Sequence, residues 1–305
     1  MNHTLDQVAH QEIGILDTSM SFAAFSKEWE RRVLPKIGAN TATRWHGIVV
    51  NHLRPFFNGT LKAISLARVE DYIAKRLEEN ATKATINREL SCLRHMMKRA
   101  LAWKNLTRNP IAEWRPMKEA PGRTRFASEE EIDRLIDACA ESRSPYLRPF
   151  VILALNGGLR RGEILSLTRA QIDWHNCTAT IAQTKNSEQG HVPLNETAMA
   201  ALRLLPIRID GRLFPFKDGH TVSRAFRRAC NRANVSDFRL HDCRHTFASY
   251  HALAGTQQRG LQALLRHRDT RMTMRYSHLT DVYLRQAVDA VNLGADKPAT
   301  ANVNT

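Results

Sequence analysis

The sequence predicts a mainly α-helical protein of two domains, the second of which carries a small antiparallel β-sheet. The chain has 305 residues, which suits two domains, and its 43% hydrophobic residues are enough for a buried core in each. Apolar residues recur at helical spacing through most of the chain. A proline-rich stretch interrupts this pattern once, and a short alternating segment later in the chain is typical of a β-hairpin.

The first domain is predicted to be a helical bundle. Residues 1–19 have no helical pattern, and we expect them to form a flexible leader before a domain over residues 20–105. Ser21 can cap the first helix, and Pro35 ends it. Three further amphipathic helices are expected at 41–57, 66–79 and 82–103. The polar side of this region is rich in lysine and arginine, which predicts contacts with phosphate groups.

A linker is predicted over residues 106–126, because prolines at 110, 116 and 121 stop helices. The second domain then extends over 127–293. Ser128 and Glu131 have the spacing of a capping box that opens its first helix. The remaining elements are helices at 145–155, 196–205, 222–233, 241–253, 260–265 and 281–293, and a hairpin from 177–183 and 191–194. Residues 294–305 are predicted to be a disordered tail.

The charge of the chain points to a polyanionic partner. Lys and Arg number 45 against 30 Asp and Glu, which gives a net charge of +15 and a pI near 10.1. Nucleic acid is the commonest partner of such a protein, and no basic amphipathic helix favours a membrane instead. We expect neither a signal peptide nor a membrane span, because the first residues lack an apolar region and no apolar run is long enough to cross a bilayer. Five cysteines without CxxC spacing indicate reduced thiols and a cytoplasmic protein.

The last third of the chain, with one arginine upstream, holds residue types that can attack a phosphodiester without a metal. Arg160 and Arg244 can grip phosphate oxygens with their planar, permanently charged guanidinium groups. His241 lies three residues before Arg244, so both share a helix face. The hydroxyl of Tyr276 becomes a nucleophile if a neighbouring group takes its proton, and His267 is a further candidate donor to phosphate.

These residues lie in four segments that resemble motifs of the tyrosine recombinases, the phage integrase family. The segments are NGGLRRGEILSL (156–167), RLHDCRHTFAS (239–249), LLRHRD (264–269) and RYSHL (275–279). The resemblance covers roughly residues 120 to 290 and extends more weakly over the N-terminal third. It implies a two-domain DNA clamp, with a helical core-binding domain followed by the tyrosine-recombinase catalytic domain.

The resemblance also implies a role for each catalytic residue. Tyr276 would attack the DNA backbone to give a 3′-phosphotyrosine, with His241 assisting its proton transfer. Lys185, at the head of the predicted hairpin turn, would protonate the leaving 5′-oxygen. Glu163 would orient Arg160. The phosphate would be held by three residues, Arg160, Arg244 and His267. No metal or other cofactor is expected.

One of these motifs departs from the family pattern, and another also has the spacing of a zinc-binding motif. The family usually has a glycine before the second histidine, whereas this chain has Arg266 before His267. We interpret Asp242 and His245 as residues of local structure. His241 and His245 also have the spacing of a zinc-binding HExxH motif, but the neighbouring acid is aspartate and Arg244 would repel the metal.

The resemblance implies a site-specific recombinase that integrates or excises a phage or genomic island. Its expected partners are double-stranded DNA, three further copies of itself in a homotetramer on paired sites, and accessory DNA-bending proteins. The alternatives are a Xer-type resolvase of chromosome dimers, a type IB topoisomerase and a non-catalytic basic DNA-binding protein. The apolar face of the last helix, 281–293, could pack on its own domain or on a neighbouring subunit.

Overall fold

The computed structural model of the protein describes residues 20–182, 189–277 and 288. The predicted leader, the turn that contains Lys185, the C-terminal helix apart from Val288, and the tail lie outside the described residues. The chain divides into two compact units between Gly122 and Arg123. Each unit has a hydrophobic core of its own, and the predicted class, mainly α with a small antiparallel sheet, is confirmed.

The N-terminal unit is built from helices. Ser21 accepts a hydrogen bond from the backbone of Ala24 and caps α1, as its position predicted. The predicted second helix is divided, because a turn of π-helix at Val49–Leu53 widens its middle. The α-helices of this unit are α1 (Phe22–Val33), α2 (Ala39–Ile48), α3 (Arg54–Phe56), α4 (Leu66–Glu78) and α5 (Lys83–Ala102).

The first half of the predicted linker belongs to the core of this unit. Leu106, Ile111 and Trp114 are buried there, so 106–126 is not a free connection over its whole length. The side chain of Asn87 on α5 donates to the carbonyl oxygen of Met117 at 2.9 Å and accepts from its amide at 2.9 Å. Prolines stop helices in this stretch, but they do not prevent its apolar side chains from packing in the core. The prediction of a linker over the whole stretch was wrong for this reason.

The C-terminal unit packs helices around α7, whose side chains are mostly buried. Ser128 and Glu131 form the predicted capping box at the start of α6. The helices are α6 (Glu129–Ala140), α7 (Leu147–Gly157), α8 (Arg161–Ser166), α9 (Glu196–Arg203), α10 (Gly219–Arg232), α11 (Asp242–Leu253), α12 (Gln258–Leu265) and α13 (Arg271–Met274). None of the described helices is long and apolar enough to cross a bilayer.

A three-stranded antiparallel sheet lies between α8 and α9 in the chain. The predicted hairpin is confirmed as β2 (Thr178–Ala182) and β3 (Gln189–Pro193), with Thr180 opposite His191. A short strand that was not predicted, β1 (Ile172–Asp173), pairs with β2. Two residues are too few for an alternating pattern to be recognised in a sequence.

Candidate active site

Arg160 is placed by the turn that connects α7 to α8. Gly158 ends α7 with a φ of 56°, and a Cβ on it would come within 2.5 Å of the Phe247 ring. The position therefore requires glycine. Glu163 accepts from the Arg160 backbone amide at 2.8 Å and from its guanidinium at 2.7 Å. Arg161 points elsewhere and donates to Ser223 at 3.0 Å on α10. Arg160 is thus oriented by Glu163, while its side chain remains 40% exposed.

Arg244 is a buried cation on α11. It is 3% exposed, and its guanidinium donates to the carbonyl oxygens of Gly158 and Leu265. No carboxylate pairs with it among the residues that the structure describes. Burial, followed by repulsion from Arg160 and Arg266, lowers the pKa of Arg244 to about 9. A buried positive charge without a counterion is costly, so this position favours a bound anion.

His267 follows the end of α12 and is also buried. Its Nδ1 lies 3.0 Å from the hydroxyl oxygen of Thr273 on α13. Burial, together with Arg244 and Arg160, lowers the pKa of His267 to about 4, so the ring is neutral near pH 7. In the tautomer in which Thr273 donates to Nδ1, the ring proton lies on Nε2, where it can be donated to a phosphate oxygen.

Tyr276 lies just after α13 and is only 5% exposed. Its hydroxyl lies 2.6 Å from Nδ1 of His245 on α11. Burial raises the pKa of Tyr276, although Arg275 and Arg244 act in the opposite direction. Burial, His241 and Arg275 lower the pKa of His245 to about 4, so the imidazole is neutral and its Nδ1 can accept a hydrogen bond from the tyrosine hydroxyl.

The interpretation of His245 as a residue of local structure was therefore wrong. It contacts the hydroxyl of the candidate nucleophile, whereas His241 lies one ring further along, with 5.0 Å between the two ring centroids. His241 is exposed at the start of α11, and partial desolvation and Arg244 lower its pKa. The signal for His245 was its spacing of four residues from His241, which places both rings on one helix face.

The structure brings the predicted residues to one place from four separate segments. Arg244 links the end of α7 to the end of α12, and the tyrosine segment packs on α11. Lys185 lies outside the described residues. The HExxH-like alternative lacks a third ligand, since no group of three metal-binding side chains occurs in the described part of the chain.

Clustered guanidinium groups lie beside a neutral imidazole and a tyrosine hydroxyl, which are the groups that a phosphate-binding site with a tyrosine nucleophile requires. This set of side chains on a helical fold is the combination that the motifs of the phage integrase family predict. The chain belongs to the phage integrase family, whose family model matches residues 125–282.

Two curated relatives are similar to most of the chain. The integrase of Salmonella phage P22 is 33% identical over 225 residues, which cover 68% of this chain and 56% of that protein. The shufflon-specific DNA recombinase of Escherichia coli is 30% identical over 235 residues, which cover 76% of this chain and 59% of that protein. The chain therefore spans less than two thirds of the length of either relative.

The fold is shared with a solved integrase. The crystal structure of a lambda integrase dimer bound to a COC′ core site superposes with a TM-score of 0.71. The two chains are 20% identical, and the match covers 90% of this chain and 80% of that one. The similarity extends over both units of the fold, whereas the family model covers the C-terminal one.

Proposed function

We propose that this chain is a site-specific tyrosine recombinase that cuts and rejoins duplex DNA, most similar in role to phage or genomic-island integrases. The observation that carries the proposal is the buried Arg244, which has no carboxylate partner in the described part of the chain and lies beside His267 and Tyr276. Such a site is suited to a phosphate that arrives with its own negative charge. A basic protein that only binds DNA has no need of a buried tyrosine at this place.

The proposed reaction begins with attack of the Tyr276 hydroxyl oxygen on the phosphorus of one DNA strand. A phosphorus–oxygen bond forms to the tyrosine, and the bond to the 5′-oxygen breaks. Arg160 and Arg244 neutralise the non-bridging oxygens, and His267 donates a hydrogen bond to one of them. The tyrosine proton passes to His245, with His241 next along the relay, and Lys185 donates the proton that the departing 5′-oxygen takes.

The 3′-phosphotyrosine keeps the energy of the broken ester. The 5′-hydroxyl of another strand can attack it in the reverse reaction, and this restores both the DNA backbone and the free tyrosine. The bond count is unchanged from start to finish, so the cycle consumes no ATP. The guanidinium groups of Arg160 and Arg244 supply the positive charge that a metal ion supplies in other phosphoryl transfers.

We assign the N-terminal unit as the core-binding domain and the C-terminal unit as the catalytic domain of a clamp on double-stranded DNA. The net charge of +15 supports a DNA partner. Lambda integrase binds its core site as a dimer. Exchange between two such sites would require two dimers, so we propose a homotetramer, assisted by accessory DNA-bending proteins and acting in the cytoplasm.

Covalent capture tests this proposal. Wild-type protein, Tyr276→Phe and the control Tyr250→Phe are incubated with candidate phage, island and host DNA in EDTA. The reaction is then quenched with denaturant, and protein-linked DNA is sequenced. We expect adducts at a defined sequence from the wild type and the control only. Tight DNA binding without adducts from any of the three would favour a non-catalytic DNA-binding protein, and equal adducts from all three would identify a different nucleophile.

A further inference from the structure

The residue before His267 is unusual in both its type and its backbone conformation. Arg266 occupies the position at which the similar family motif usually has glycine, and its φ is 51°. This is the left-handed region, where a Cβ is unfavourable and glycine is not. Arg266 ends α12 in this conformation at the edge of the active site, and its side chain makes contacts that a glycine could not.

The side chain of Arg266 is directed at the carboxylate that orients Arg160. Its guanidinium donates to Oε2 of Glu163 at 2.7 Å and to the carbonyl oxygen of Leu264 at 2.9 Å. Only 7% of the Arg266 side chain is exposed. Glu163 uses its other oxygen, Oε1, for the guanidinium of Arg160 at 2.7 Å. One carboxylate thus connects two arginines that come from different segments.

Arg266 changes the net charge around Arg160 and Glu163. Burial alone would raise the pKa of Glu163, but Arg266 and Arg160 hold it below its usual value, so the carboxylate stays ionised. A pair of Glu163 and Arg160 without Arg266 would have no net charge. With Arg266 present, the three groups together keep one positive charge.

We propose that Arg266 is a positioning residue that immobilises Glu163, and through it directs the charged Arg160 guanidinium at the scissile phosphate. This inference rests on the proposed recombinase function. Arg266 itself does not touch the DNA, since its guanidinium is buried against Glu163 and the backbone of α12.

The order of the Arg160 side chain can be measured without any reaction. We would record the Nη–Hη NMR signals of arginines in the full-length protein, with the Arg160 signal assigned by its loss in Arg160→Lys. A guanidinium whose Nη atom is held by a carboxylate rotates slowly and gives a resolved Hη signal. We expect this signal in the wild type and its loss in both Arg266→Gly and Arg266→Asn.

Two comparisons keep this measurement specific. Asparagine tolerates a left-handed backbone, so Arg266→Asn removes the guanidinium without the added freedom of glycine. The matched control Arg268→Gly removes an exposed charge two residues away and should keep the signal. A signal unchanged in both Arg266 variants would overturn the inference, as would its absence from the wild type, its loss only in the glycine variant, or its loss in the control.

Kinetics supply the second test, once covalent capture has identified a site. We expect both Arg266 variants to cleave about 10- to 100-fold more slowly in a single turnover, with DNA affinity unchanged, because hydrogen bonds to a charged group are lost. The deficit should shrink on DNA with a neutral methylphosphonate at the scissile position, where no anion needs a guanidinium. A loss confined to DNA affinity, or an equal deficit on both substrates, would count against the inference.

If the wild type forms no adduct, the proposed function fails, and the NMR result still decides whether Arg266 positions Arg160.

Discussion

The hydroxyl of the candidate nucleophile is held by a histidine that is uncharged at neutral pH. Tyr276 lies 2.6 Å from His245, and the pKa of that imidazole is about 4, whereas the pKa of the tyrosine is raised. Proton transfer from tyrosine to histidine is therefore unfavourable in the free protein. A bound phosphate would favour the protonated imidazole, and the charge on the tyrosine oxygen disappears as that oxygen bonds to phosphorus. We therefore expect the proton to move during the attack on phosphorus rather than before it.

Substitution of His245 tests this role. We expect His245→Ala to lower the single-turnover cleavage rate by about 100-fold, the smaller end of what a general base contributes. His245→Asn keeps an acceptor for the tyrosine but cannot take its proton, and it should remain slow. Gel quantification of the covalent adduct with time measures both rates.

His241→Ala is the matched control from the same helix face, and its loss should be smaller because it lies one ring further from the tyrosine. An asparagine variant as fast as the wild type would mean that His245 only holds Tyr276 in place. A large loss in His241→Ala alone would return the role of base to His241.

The lowered pKa of His267 predicts a pH-dependent stability. In the unfolded chain a histidine takes up a proton near pH 6.5, whereas in the folded protein His267 does so only near pH 4. The unfolded state thus binds more protons between these values, and stability falls as the pH falls from 6.5 to 4.

Replacement of His267 by Asn should remove this contribution. We expect the stability lost between pH 7 and pH 5 to be smaller in His267→Asn than in the wild type, by about 2 kcal/mol. Urea unfolding at both pH values, followed by a signal from the C-terminal unit, measures the difference. Equal losses in the two proteins would show that His267 is not buried as described.

Among the individual residues, the motifs predicted which side chains the structure brings together, but not which contacts those side chains make. Short segments with characteristic neighbours predict four candidate catalytic residues, Arg160, Arg244, His267 and Tyr276. They do not predict the partner of Tyr276, because that contact exists only after α13 packs against α11. The bridge from Arg266 to Glu163 likewise joins segments that no spacing rule connects.

At the scale of elements, the junction between α7 and α8 has the tightest geometry around the site. Gly158 provides both the left-handed turn and the carbonyl oxygen that receives Arg244. A methyl group there would overlap the ring of Phe247 on α11. The left-handed turn at Gly158, the position of Arg244 and the packing of α11 therefore depend on one another.

Alanine at two glycines separates these effects. Gly211 also has a positive φ, of 69°, but no atom lies within 4 Å of the place where its Cβ would be. We expect Gly211→Ala to cost about 1 kcal/mol, from backbone strain alone, and Gly158→Ala to cost about 3 kcal/mol, from strain and overlap together. Chemical denaturation gives both values, and equal costs would mean that Phe247 moves aside.

Element prediction succeeded where amphipathic helices dominate. The helices of the N-terminal unit begin and end close to where their capping residues and apolar spacing placed them. The π-turn at Val49–Leu53 and the two-residue strand β1 were missed, because neither leaves a periodic pattern of its own. The sequence does not predict the packing of the proline-rich stretch, because the prolines around Trp114 indicate a linker although its side chain is buried in the core.

At the scale of the molecule, the proposed clamp would draw much of its affinity for DNA from charge. Each phosphate that a lysine or arginine neutralises releases a condensed counterion, so affinity falls steeply with added salt. The excess of 15 positive charges is large enough for many such contacts.

We therefore expect the affinity for duplex DNA to fall by about 10³- to 10⁵-fold between 50 and 200 mM salt, as for a protein with six to ten phosphate contacts. Fluorescence anisotropy with a labelled duplex measures this. Tyr276→Phe serves as the control and should give the same salt dependence, because the tyrosine hydroxyl bears no charge. A nearly flat dependence would argue against a clamp on the DNA backbone.

The burial of Tyr276 also affects how such a protein behaves on DNA that it is not meant to cut. At 5% exposure, with its hydroxyl already bonded to His245, the side chain cannot reach a strand that merely passes the surface. If Tyr276 is the nucleophile, we expect segment 271–277 to shift before the oxygen meets a phosphorus atom. A protein that slides along a chromosome in search of one sequence meets thousands of phosphates, and a retracted nucleophile spares each of them from an unwanted nick.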